Sequence, residues 1–70
     1  MTDVNARLPI RLGQLLKLAG MVESGAHARD LIESGDVEVN GEVCTQRGRQ
    51  LSDGDTVSVH GETITVTPSA

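Results

Sequence analysis

Seventy residues without a Phe, Tyr or Trp, and with a formal net charge of -4, make one small domain with too little core to enclose a sizeable cofactor. The single cysteine, Cys44, cannot close an internal disulfide, so the fold does not depend on an oxidising compartment. No stretch approaches the roughly 20 apolar residues of a membrane span, and "MTDVNARLPI" has no apolar run of signal-peptide length; the chain reads as soluble and cytoplasmic, with no membrane partner.

The first predicted element is a helix over "PIRLGQLLKLAG". At 100° per residue Leu12, Leu15, Leu16 and Ala19 share one arc, with Gly13, Gln14 and Lys17 opposite and Arg11 at the border. Pro9 suits its start and Gly20 its stop. Leu18 falls off the apolar arc and is expected to meet a neighbouring element. A second helix is expected over "SGAHARDLIESG", with Ser24 as N-cap, Gly35 as stop, and Ala28, Leu31 and Ile32 as a narrow apolar face. The link "GMVE" is short, so the two helices should pack as a hairpin.

After Gly35 the apolar period becomes two. Val37 and Val39 alternate with acids and run into Asn40-Gly41, a strong short-range hairpin signal. "LSDGD" marks a further turn. "TVSV" and "TITV" read as two strands joined at His60-Gly61, and the tail "TPSA" is expected to fray. The expected architecture is α+β: an N-terminal helical hairpin packed on a small, mainly antiparallel β-sheet. It is one domain over residues 1–70, with a core from about residue 10 to residue 67 and short flexible termini.

The charges are segregated. Between Val4 and Val22 stand Arg7, Arg11 and Lys17 with no acid; between Val43 and Ser52 stand Arg47 and Arg49, again with no acid. Of the six basic residues only Arg29 lies outside these windows, and all ten acids do. Such segregation can build a local positive patch on an acidic protein.

"IRLGQLLKLAG", then "ARDLIESGDVEVNGE", then "RGRQLSDGDTV" resemble, in this order, the S-four (S4) RNA-binding domain, also called the alpha-L RNA-binding motif. The match covers about residues 10 to 57, and "LGQLLKLAG" and "TQRGRQL" look closest to a small stand-alone bacterial subgroup. The resemblance implies RNA binding across the helical hairpin and the adjacent loop of the sheet. The chain departs from the family where Gln46 and Gln50 stand in place of basic residues, and where Asp30 and Glu33 lie close to Arg29.

The candidate RNA-binding residues are Arg11, Gln14, Lys17, Ser24, Arg29, Arg47 and Arg49. Arginine suits phosphate because its planar fork donates two hydrogen bonds at once. Arg47 and Arg49 about Gly48 read as a flexible phosphate clamp, against the plainer reading of a solvated loop. Arg11, Gln14 and Lys17 form one polar helix face, which is also what any surface helix presents to water. Arg29 has Glu33 four residues on as a competing partner. Ser24 opens a helix whose free N–H groups could receive a phosphate, or serves as a plain cap. Without aromatic rings to stack on bases, a structured RNA read by shape and backbone fits better than a single strand; ribosomal or transfer RNA is the expected class, with a ribosomal protein as a possible second partner and a monomer as the expected state.

No catalytic triad spacing, metal-ligand cluster or Gly-rich phosphate loop stands in the sequence, so neither catalysis nor a cofactor is expected. Cys44 reads as a small, partly buried apolar residue, and Asp53 and Asp55 as turn residues. A sulfur-carrier module would fit "LSDGDTVSV" but should end in Gly-Gly. The competing reading is a protein-binding adaptor that works through its acidic surface.

Overall fold

The chain begins in a sheet, not in a helix. In the computed structural model, which describes residues 2–69, strand β1 (Thr2–Ala6) forms one edge of a five-stranded sheet. A short β2 (Ile10–Arg11) leads into helix α1 (Leu12–Leu18) and helix α2 (Gly25–Glu33). The remaining strands are β3 (Val37–Val39), β4 (Glu42–Val43), β5 (Gln50–Leu51), β6 (Thr56–Val59) and β7 (Glu62–Pro68). The α+β class holds and the two helices pack on each other, but the helical pair is not the N-terminal element. β1 pairs in parallel with β7, with Val4 opposite Val66, and turns Val4 and Ala6 toward the core. That partner lies at the far end of the chain, and two small inward residues make no visible alternation. The Ser69 N–H donates to the Ala6 carbonyl at 2.8 Å, so the stretch expected to fray is tied down as far as Ser69; Met1 and Ala70 lie outside the described residues.

Helix α1 is shorter than its periodicity suggests. Pro9 follows a cis peptide bond and does not open the helix. Ile10 and Arg11 are taken instead by a two-stranded antiparallel ladder, Ile10 opposite Leu51 and Arg11 opposite Gln50. Leu12, Leu15 and Leu16 are fully buried as the apolar arc requires, whereas Leu18 is 55% exposed. Helix α2 starts where expected: the Ser24 hydroxyl accepts from the His27 N–H at 3.1 Å. It ends in a left-handed Gly35 at φ 85°, with the Gly35 N–H on Ile32 and the Asp36 N–H on Leu31. This reverse-bonded cap satisfies carbonyls that a side chain with a Cβ would reach only under strain.

The sheet order is β1-β7-β6-β3-β4, antiparallel except at the β1 edge. Its two hairpins turn at Asn40-Gly41 and His60-Gly61, where Asn40 (φ 53°) and His60 (φ 49°) take the left-handed conformation that a tight two-residue turn needs. Alternation places Val37, Val39, Val57, Val59, Ile64 and Val66 on one face, where they join Leu12, Leu15, Leu16, Ala28 and Ile32 in a single core. The opposite face is polar, with Glu38 beside Ser58 and Ser58 beside Thr63. The helices cover one face of the sheet; the basic loop between β4 and β5 comes back against the start of α1.

Candidate nucleic-acid interface

The loop that carries Arg47 and Arg49 is built by backbone hydrogen bonds. The Arg49 N–H donates to the Gln46 carbonyl at 3.2 Å, closing a four-residue turn with Arg47 and Gly48 at its centre. Two further bonds fasten the turn to α1: the Leu12 N–H reaches the Arg49 carbonyl at 2.8 Å, and the Gly13 N–H reaches the Arg47 carbonyl at 3.3 Å. The first amides of a helix have no partner within it; here the basic loop supplies two acceptors. The loop is thus pinned at both arginines, in contrast to the flexible clamp expected from the sequence. Gly48 is not in the left-handed region, so its backbone does not require glycine; a Cβ there would meet open space.

These bonds, together with the β2–β5 ladder, bring the two acid-free windows of the sequence side by side. Between them lies an open groove of about 380 Å³ whose charged lining is Arg11, Lys17 and Arg47, with Gln14 beside them. No carboxylate lines it. The rest of its wall is small: Gly13, Gly48, and Gly25 and Ala28 from α2. Small walls let a sugar–phosphate chain approach closely, and clustered cations of one sign raise the local potential of a groove. Gln14 is partly committed, since its Oε1 accepts from the Arg11 N–H at 3.3 Å; its Nε2 remains a donor.

Four of the seven candidate residues therefore meet, and three do not line this groove. Ser24 spends its hydroxyl on the helix cap, and its neighbour Gly25 takes the place at the wall. Arg29 donates from Nε to Glu33 Oε2 at 3.2 Å, an exposed pair on α2. Arg49 stands on the β5 side of the turn, where its charge acts on Asp55. Gln50 pairs in the ladder with Arg11. Gly48, expected to leave the backbone open between the arginines, and Gly25 at the start of α2 both line the groove; the Gly13 and Ala28 walls were not expected, and the signal for Gly13 was a glycine in the first turn of an otherwise good helical pattern.

Asp55 organises the loop that follows. Its Oδ2 accepts from the Ser52 N–H at 2.9 Å and its Oδ1 from the Asn40 side-chain amide at 3.2 Å. The Ser52 N–H first, then the Asn40 amide, hold its carboxyl below the ordinary carboxylate value of 3.8; Arg49 adds to this and partial burial opposes it. Cys44 is buried, with its Sγ 3.7 Å from the Gln46 carbonyl at the entry to the basic turn. Among the described residues, no three His, Cys, Asp or Glu side chains are placed to hold a metal ion, and no helix is long and apolar enough to cross a membrane.

Comparison with known proteins agrees with this architecture. The solution structure of YbcJ from Escherichia coli, a protein with an alfaL motif involved in RNA binding, superposes with a TM-score of 0.72 at 38% identity, over 96% of this chain and 87% of that one. The YbcJ sequence of strain K12 is 42% identical over 57 residues, 81% of either chain. A Bacillus subtilis relative named "Probable ribosome maturation protein RlbA" is 44% identical over 52 residues, 74% of this chain and 73% of its own. The S4 domain model matches residues 4–67, β1 included, and the chain belongs to the S4 domain family.

Proposed function

We propose that this protein is a non-catalytic RNA-binding module whose groove between α1, α2 and the basic turn holds the phosphate backbone of a structured RNA. The observation that carries this reading is the convergence of Arg11, Lys17 and Arg47 on one groove with no acid in its lining, in a chain whose net charge is -4. Three cations on small walls suit a phosphate chain held by charge and shape, and the lack of any aromatic ring disfavours reading by base stacking. The alfaL motif described for YbcJ supports RNA as the polyanion. The name of the Bacillus relative supports ribosomal RNA on a ribosomal particle over transfer RNA, and a cytoplasmic place of work.

The test is binding of a labelled RNA stem-loop across a salt series, for the wild type and for Arg47→Ala/Arg49→Ala. With one phosphate neutralised by each of the three groove cations, log affinity falls with log salt at a slope of about 2–3, at roughly 0.7–0.9 per contact. The double variant binds more weakly and with a flatter slope. Wild-type protein that is folded yet binds no RNA at low salt rejects the reading. An adaptor working through acids such as Glu38 would behave in the opposite way: indifferent to the arginine changes and abolished by Glu38→Lys.

A further inference from the structure

Gly13 stands at the second position of α1 with an ordinary backbone conformation, outside the region that favours glycine. Glycine within a helix is less stable than alanine by up to about 1 kcal/mol, so the local structure gives no reason for it. The reason lies across the groove. A Cβ built on Gly13 would stand 3.0 Å from Arg47 Cγ and 3.7 Å from its Cδ. The aliphatic stem of Arg47 thus lies directly on the bare Cα of Gly13. The Gly13 N–H holds the Arg47 carbonyl at 3.3 Å, so backbone and side chain of the arginine are held at the same place. By contrast, a Cβ on Gly25 or Gly48, the other glycines of the groove, would meet nothing within 4 Å.

We propose that Gly13 is a positioning residue: the missing side chain is a seat that lays the Arg47 stem against α1 and holds its guanidinium at the groove, pre-set for a phosphate. The proposal rests on the phosphate-binding reading above for its effect on RNA, and on geometry alone for the seat. A long, freely rotating arginine gives up rotamer entropy when it binds; one already laid down gives up less. The seat trades helix stability for that order. It also makes Arg47 the cation of the groove most sensitive to a change at a residue that itself offers no charge.

The experiment is a double-mutant cycle with Gly13→Ala and Arg47→Ala, read by affinity for the labelled RNA stem-loop, by thermal unfolding and by NMR of the free protein. In the free wild type, the Gly13 Hα protons show cross-relaxation to the Arg47 γ and δ protons. Gly13→Ala folds with unchanged or higher stability and binds the RNA about three- to tenfold more weakly, a part of what one charge-assisted hydrogen bond contributes. In the Arg47→Ala background the same substitution changes affinity no further. Absence of the Gly13–Arg47 cross-relaxation overturns the seat whatever the RNA does. An undiminished affinity in Gly13→Ala, or an equal loss in both backgrounds, overturns its role in binding. A wild type that shows the cross-relaxation but binds no RNA rejects the function and leaves the seat standing.

Discussion

Asn40 and Asp55, one at a hairpin turn and the other at the mouth of β6, are joined side chain to side chain at 3.2 Å. Asn40 also accepts the Thr56 N–H at 2.9 Å through its Oδ1, and its own N–H reaches the Thr56 carbonyl at the same distance. One residue therefore fixes the β3–β4 turn and sews it to the loop before β6. Asn40→Ala removes these two side-chain bonds and a longer one from the Thr56 hydroxyl at 3.4 Å, and leaves a Cβ-bearing residue without local polar compensation at φ 53°. Each effect costs on the order of 1 kcal/mol, so urea unfolding should show a loss of about 1–3 kcal/mol. A loss within error of zero would mean that the turn holds without its side chain.

The acid limb of stability follows from Asp55. Its carboxyl titrates below 3.8, chiefly because the Ser52 N–H and the Asn40 amide bond the charged form. A depressed folded-state value means that the ionised group stabilises the fold at any pH above its unfolded value. That contribution is lost as pH falls from near 3.8 through the lower folded value. Asp55→Asn should therefore be less stable than wild type at neutral pH, and the two stability curves should converge under acid. Curves that stay parallel down to the acid end would exclude Asp55 as the titrating group.

The glycine of the basic turn and the glycine that caps α2 differ in what they tolerate. Gly48→Ala places its methyl in open space on an ordinary backbone, so it should leave the melting temperature unchanged or raise it, by up to about 1 kcal/mol of stability. Gly35→Ala forces a left-handed conformation at φ 85° and should cost about 1–2 kcal/mol. Equal effects at the two positions would contradict the backbone conformations assigned to them.

Cations of the groove should matter more for RNA than Arg29, which lies outside it. Lys17→Ala removes a lining charge, and its affinity loss should shrink as salt is raised. Arg29→Ala breaks an exposed pair with Glu33, worth about 0.2–0.5 kcal/mol of stability, and should leave RNA affinity within about twofold. An Arg29→Ala loss equal to that of Lys17→Ala would extend the interface along α2.

What was legible in the sequence is what local pattern controls. Leu12, Leu15 and Leu16 lie in the core because the helical period puts them on one arc, and Val37, Val39, Val57 and Val59 because strand period alternates them inward. Ser24 and Gly35 bound α2 because capping is a matter of neighbours a few residues apart. Less legible was everything decided at long range. β1 depends on a partner at the other end of the chain, and Ile10 and Arg11 leave the helical pattern for a ladder with Leu51 and Gln50. The groove belongs to this second kind. Its cations were visible as acid-free windows, but their meeting depends on carbonyls of Arg47 and Arg49 that no side-chain pattern announces. The same limit applies to Ser24 and Arg29, which do not line the groove: the Ser24 hydroxyl caps α2 and Arg29 pairs with Glu33.

The parallel pairing of β1 has a consequence for solubility. β7 is the longest strand, seven residues of Thr, Ile and Val character ending at a proline. Unpaired, such a strand would offer a row of free amides and carbonyls to any passing chain, the usual beginning of edge-to-edge aggregation. β1 covers that row with a shorter strand carrying an exposed Asp3 and Asn5. The first strand thus acts as a guard for the last, and proteolytic trimming of residues 2–6 would leave the longer β7 as the open edge in place of the short, polar β1.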